Sequence, residues 1–140
     1  MEQYIEFGIA KEKYAIRIED IQEIIKKQEI TEVPNTRPYV KGVINLRGKI
    51  VPILSLRHLF GLPEEEYSRS TRVIVVNHVE ETVGIIVDYV NKVATYPDIQ
   101  PPPDRVGSIH GANFTGVGLS ETGLVGILKL DQVLVQEKEA

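Results

Sequence analysis

The feature that most constrains this chain is an internal repeat of alternating apolar segments. An offset of 69 carries Ile16 to Ile85, Ile18 to Val87, Glu19 to Asp88, Ile21 to Val90, Ile24 to Val93 and Ile30 to Ile99. An offset of 74 then carries Gly42 to Gly116, Val43 to Val117, Val51 to Val125, Leu54 to Leu128, Leu56 to Leu130 and Phe60 to Leu134. The difference between the offsets falls where the second half has its longer, proline-rich connection, over residues 96–111. Apolar matched to apolar would arise between any two hairpin units, but the shared acidic positions and glycines favour one unit used twice. In a chain of 140 residues each unit is too small to bury both faces of its own sheet. Two curled sheets packed together are the expected solution.

Within the first unit, Ile5, Phe7 and Ile9 alternate, and Tyr14, Ile16 and Ile18 do so after a Lys11-Glu12 turn. These two segments read as a hairpin. Glu19-Asp20 is expected to open a helix carrying Ile21, Ile24 and Ile25 at i, i+3, i+4 spacing, with Lys26-Lys27 at its negative end. Strands over 40–46 and 49–54 follow, joined across Arg47-Gly48, where Gly48 supplies a positive φ. Pro52 cannot donate to a ladder, which predicts an edge or a bulge for its strand. Ser55 caps one helical turn running to Phe60. In the second unit, strands over 72–77 and 82–87 flank a polar turn at 78–81, and Asp88 is expected to cap a short helix bearing Val90 and Val93. Strands over 114–119 and 124–130 and a helical turn near Asp131 close the chain.

The chemistry is sparse. A net charge of −4 and a pI near 5.4 argue against a nucleic-acid binder. Cysteine is absent, which removes disulfides, thiolate metal sites and cysteine nucleophiles and suits the cytoplasm. Met1-Glu2-Gln3 does not begin a signal peptide, and no apolar run approaches the ~20 residues of a membrane helix. His58, His78 and His110 lie far apart, with no second ligand at i+3 or i+4, so no metal is expected. There is no nucleophile elbow or Walker A sequence, and Gly116-Val117-Gly118 lies within a hairpin instead of between a strand and a helix. Neither catalysis nor a cofactor has a candidate. Glu64-Glu65-Glu66 reads as a solvated segment. Residues 37–58 hold no acidic side chain, whereas Arg37, Lys41, Arg47, Lys49 and Arg57 are basic. That local positive surface keeps a nucleic-acid-binding β-barrel as the alternative function, although such barrels offer an aromatic platform and only Tyr39 lies near.

The same stretch, 39–57, resembles the signature of the CheW chemotaxis coupling proteins: a hydrophobic-x-Gly strand, Asn-Leu-Arg-Gly, then an apolar strand with Pro and a Leu-Arg ending. Gly42, Asn45-Leu46-Arg47-Gly48, Pro52 and Leu56-Arg57 match in order and spacing. Residues 14–24, 73–93 and 116–134 also read like the family. The resemblance implies a mainly β fold of two SH3-like five-stranded β-barrel subdomains packed on a shared hydrophobic core, with short helices. Residues 1–140 would form one CheW-like domain with subdomains of about 1–68 and 69–140, a boundary that strand exchange between them would move.

It also implies a non-catalytic adaptor that joins the regulatory domain of the histidine kinase CheA to the cytoplasmic tips of methyl-accepting chemoreceptors. Such a protein sits at receptor clusters on the inner face of the membrane, held there only through receptors, and uses no nucleic acid. Arg47 matches the family's signature arginine and Glu23 the glutamate set near it, so a charge-assisted pair is expected; a merely solvated turn residue is the alternative. Ile21, Gly42 and Val43 match positions associated with receptor contact, with core burial the alternative for Ile21 and Val43, and Asn45 of the same motif is grouped with them. The kinase face is expected around Val83, Gly84 and Val73, where Gly84 admits a partner's backbone or marks a bend. Ser55 departs from the acidic residue the family often carries there, and Lys129-Leu130-Asp131 matches the closing pattern loosely.

Overall fold

Valine and isoleucine dominate the alternating segments, and their branched side chains suit a pleated surface. A computed structural model describes residues 1–78, 80–107 and 109–134. The first half holds β1 (Tyr4–Ile9), β2 (Glu12–Arg17), β3 (Ile21–Lys26), β4 (Val40–Leu46), β5 (Lys49–Ser55) and the helical turn α1 (Leu56–Leu59). The second holds β6 (Arg72–His78), β7 (Glu81–Val87), β8 (Tyr89–Ala94), the short β9 (Ile99–Gln100), β10 (Arg105–Val106) and β11 (Ile109–His110), then β12 (Phe114–Ser120), β13 (Gly123–Leu128) and α2 (Leu130–Val133). The expected turn at 78–81 includes Val79, which lies outside the described residues.

One sheet runs β8-β1-β2-β13-β12-β9 and another β3-β6-β7-β5-β4, with β10-β11 a separate ribbon. The chain divides into two compact units: unit 1 is Met1–Ile18 with the segment from Asn91 onward, and unit 2 is Glu19–Val90. The linear midpoint at 68/69 lies inside unit 2. The reason is chain reach. Strands β3 and β7 both pair antiparallel with β6, so they run parallel with one strand between them. For a half to build this arrangement alone, the chain would have to return along a six-residue strand of roughly 20 Å between β2 and β3. Only Ile18–Asp20 connects them, and three residues span at most about 10 Å. Strand β3 therefore enters a different sheet from β2. Asp88 alone separates β7 from β8, with the same result.

The repeat survives in the registers. Replacing each strand by its counterpart turns the order β8-β1-β2-β13-β12 into β3-β6-β7-β5-β4. The register shift between Val40 and Gly42 recurs between Phe114 and Gly116. The bridge from Thr31 to Val43 recurs as Gln100 to Val117, and the parallel pair Ile53–Gly84 recurs as Ile127–Ala15. Gly42 (φ +142°) and Gly116 serve the same purpose: a Cβ on Gly42 would collide with the Thr31 carbonyl oxygen, and one on Gly116 would lie 3.0 Å from that of Gln100.

Two expected helices are strands. Ile21, Ile24 and Ile25 have helical spacing because a bulge intervenes: Ile21 faces Val76 and Glu23 faces Val75, leaving Gln22 as the extra residue. Ile21 and Ile24 thus share one face although three apart, while Ile25 takes the other. Likewise Asp88 caps no helix, since Tyr89 to Ala94 continue directly as β8 beside β1. Pro52 lies on an interior strand, between β4 and β7, and not at an edge. Val43 directs its N–H and C=O to Thr31, so the Val43–Pro52 pair is not hydrogen-bonded across β4–β5. The ring nitrogen of Pro52 points to the β7 side, where the ladder begins only at Ile53.

Unit 1 packs Tyr4, Ala15, Tyr96, Val125 and Ile127 together, and Tyr14 stacks on Phe114 with centroids 6.1 Å apart. Its interior also holds Glu6, 1% exposed, whose carboxylate accepts from the Tyr96 hydroxyl at 2.8 Å and from the Asn91 amide. In unit 2 the core is Ile44, Leu46, Val51, Ile53, Val73, Val75 and Ile86.

Candidate functional site: a braced hairpin in unit 2

The β4–β5 hairpin turns over two residues, Arg47 (φ +51°) and Gly48 (φ +85°). Two positive φ angles match the twist of the flanking strands, and such turns favour Asn-Gly. An arginine at the first position costs strain that a turn alone would not select. The Asn45 side chain braces the turn by accepting the Gly48 N–H at 2.8 Å. Arg47 is 66% exposed, and its Nη2 pairs with Oε2 of Glu23, which is 25% exposed. The bulge at Gln22 is what turns Glu23 onto the face shared with Val75 and Ile25. The expected pair is therefore present, built by a strand instead of a helix.

The other expected contact residues separate by exposure. Ile21 and Val43 are half-buried, Asn45 is exposed and Gly42 is buried. Ile50, directly across the ladder from Asn45 and 61% exposed, joins this face. It stands in the unbroken apolar run Ile50-Val51, where alternation gives no sign of which residue points outward. Val73, Val83 and Gly84 are all buried, so none presents a side chain at the surface. The space above Gly84 is occupied from within the unit: a Cβ there would stand 2.6 Å from Ile53 Cδ1 and 2.7 Å from Val73 Cγ1.

The expected positive strip is largely neutralised. Lys41 lies 3.7 Å from Glu64, and Lys49 donates to Thr82 Oγ1 at 2.8 Å. Arg57 pairs with Asp88 at 2.6 Å and lies 3.7 Å from Glu65. Hydrogen bonding to Asp88 is the chief cause that raises the Arg57 pKa above its already high ordinary value. Glu64 further accepts from Ser55 Oγ at 2.6 Å, and the same hydroxyl caps α1 by accepting from the His58 N–H. The acidic segment expected to be solvated is thus partly a clamp along the hairpin, and Ser55 works with a carboxylate supplied from elsewhere. Among the described residues no group of three or more His, Asp or Glu side chains is arranged to hold a metal ion, and no helix is long and apolar enough to cross a membrane.

Comparison with known proteins finds relatives along nearly the whole chain. Residues 3–138 match the family model of the CheW-like domain. The chain is 37% identical to the chemotaxis protein CheW of Helicobacter pylori, covering 96% of this chain and 82% of that protein. It is 35% identical to CheW of Bacillus subtilis, covering 97% and 88%. Among solved structures, the scaffolding protein TtCheW of Thermoanaerobacter tengcongensis superposes with a TM-score of 0.87 at 32% identity, covering 95% of this chain and 87% of that one. With its mainly β fold and the Asn45-Leu46-Arg47-Gly48 turn in place, this chain belongs to the CheW family of chemotaxis proteins.

Proposed function

We propose that this protein is a non-catalytic cytoplasmic adaptor that couples chemoreceptor tips to the regulatory domain of CheA. The carrying observation is Arg47: an exposed arginine held in a strained turn conformation and aimed by Glu23, where the turn itself would prefer another residue. The receptor site comprises Arg47 and Glu23 together with Val43 and Ile50, which share one face of the hairpin, and Ile21, which the bulge at Gln22 places on the opposite face of β3 from Glu23; the apolar members suit an amphipathic receptor helix. Exposed Asn45 braces the turn beside Ile50, and buried Gly42 allows Thr31 to cross. Val73, Val83 and Gly84 serve the kinase by shaping the sheet it meets, not by touching it. Association with the membrane follows from binding receptors.

The nucleic-acid alternative loses its main support, because Lys41, Arg47 and Arg57 already face carboxylates. The deciding experiment is a pull-down of the full chain with receptor cytoplasmic fragments and CheA from the same organism. A ternary complex is expected, and its failure to form, or salt-dependent binding to single-stranded oligonucleotides instead, would remove the proposal.

A further inference from the structure

Arg57 closes the motif stretch two residues beyond β5, yet it forms no part of the turn and its side chain is only 11% exposed. Its guanidinium grips Asp88 with two nitrogens, Nε at 3.1 Å from Oδ1 and Nη2 at 2.6 Å from Oδ2. Nη1 donates to the Pro63 carbonyl at 2.9 Å, at the start of the acidic segment. Asp88 is the single residue between β7 and β8 and lies within unit 2, two residues before its end at Val90. One side chain therefore fastens the segment trailing β5, the acidic segment and the β7–β8 junction.

The fold does not require this fastening. The offset of 74 carries Arg57 to Asp131, and the offset of 69 carries Asp88 back to Glu19. Both counterparts are acidic, so the same bridge cannot form in the repeat. A planar, two-nitrogen grip on a carboxylate specifies geometry, and the desolvation of both charges offsets much of its contribution to stability.

We infer that Arg57 is a positioning residue for coupling: it holds the base of the Arg47 hairpin against the residue from which β8 departs, so that a partner engaging the hairpin shifts the start of β8. This rests on the adaptor function proposed above. It separates binding from control, because Arg57 lies at the opposite end of β5 from the exposed turn.

The test compares the full chain with its Arg57→Gln, Arg57→Lys and Asp88→Asn variants in a mixture of receptor cytoplasmic fragment, CheA and ATP. Binding of each partner and the receptor-dependent change in CheA autophosphorylation are read separately. Arg57→Gln and Asp88→Asn are expected to bind each partner within about twofold of wild type, as for residues outside a contact surface. They are expected to lose most of the receptor-dependent change, with Arg57→Lys recovering part of it, since lysine keeps the charge without the fork. Hydrogen exchange at the amides of 89–94 should rise in the same variants before any partner is added. Control retained in Arg57→Gln, or binding lost in step with control, overturns the inference. If the wild-type chain binds neither partner, the adaptor function fails and the inference with it. If wild type and variants couple equally, only the role of Arg57 fails. Should Arg57→Gln not fold, Asp88→Asn removes the charge without vacating volume and carries the same test.

Discussion

Replacing Arg47 by asparagine separates what the turn needs from what function needs. At φ +51° a non-glycine side chain costs about 1 kcal/mol, and asparagine tolerates that region with much of the cost relieved. The substitution also removes the pair with Glu23. With Arg47 66% exposed and Glu23 25% exposed, solvent screening limits that pair to roughly 0.2–1 kcal/mol. The two effects oppose each other and nearly cancel, so the net change should lie within about 0.5 kcal/mol of zero. At an m-value near 2 kcal/mol/M, the urea midpoint would move by no more than roughly 0.25 M. Receptor control of CheA should nevertheless collapse in the same protein. A loss of more than about 1.5 kcal/mol would mean that Arg47 holds the fold together, and the reasoning from turn strain would be refuted. Full coupling in the asparagine variant would refute it equally.

Charge reversal tests the pair itself: Glu23→Arg and Arg47→Glu should each impair coupling, and the double variant should restore part of it; no recovery would sink the pairing. Gly42→Ala should cost about 3 kcal/mol or more, because both a positive φ and the Thr31 carbonyl stand against a Cβ, and chemical denaturation would show it. Gly84→Ala should cost less, since its neighbours are side-chain carbons and the repeat already carries Ala15 at the counterpart position; equal costs would contradict the assignment. Burial first, then Glu12, pushes the Tyr14 pKa up from 10.0 to about 12, and burial with the Glu6 hydrogen bond raises that of Tyr96. Because the folded values lie above the unfolded ones, stability should be unaffected below about pH 10 and fall as pH rises through the folded value. Urea midpoints across this window check it, and a midpoint that stays flat to pH 12 would contradict it.

The hairpins are legible in the sequence because Ile5, Phe7 and Ile9, and their counterparts, alternate with nothing interrupting them. The helix expected at Ile21 shows why legibility ends at bulges. One extra residue converts a period of two into a spacing of three, and Gln22 carries no mark of being extra. The family motif locates Arg47 and Glu23, but their pairing depends on β3 being a strand. The partners of Lys41, Ser55 and Arg57 leave no mark in the sequence for another reason. Glu64 and Asp88 lie on segments whose approach depends on the whole path of unit 2, and no local pattern records it. Ile50 and Val51 are equally apolar, and only the pleat decides that one faces outward.

The three-residue link between β2 and β3 also bears on the origin of the chain. If the two halves descend from one duplicated segment, that segment could not have completed a sheet on its own, because its first hairpin and its remaining strands were bound for different sheets. Its only route to a folded state would have been to trade hairpins with a second copy, as an obligate homodimer. Joining two such copies end to end would have made the trade permanent and concentration-independent. It would also have freed one copy of the hairpin turn to carry Asn45-Leu46-Arg47-Gly48 while the other carries Leu119-Ser120-Glu121-Thr122.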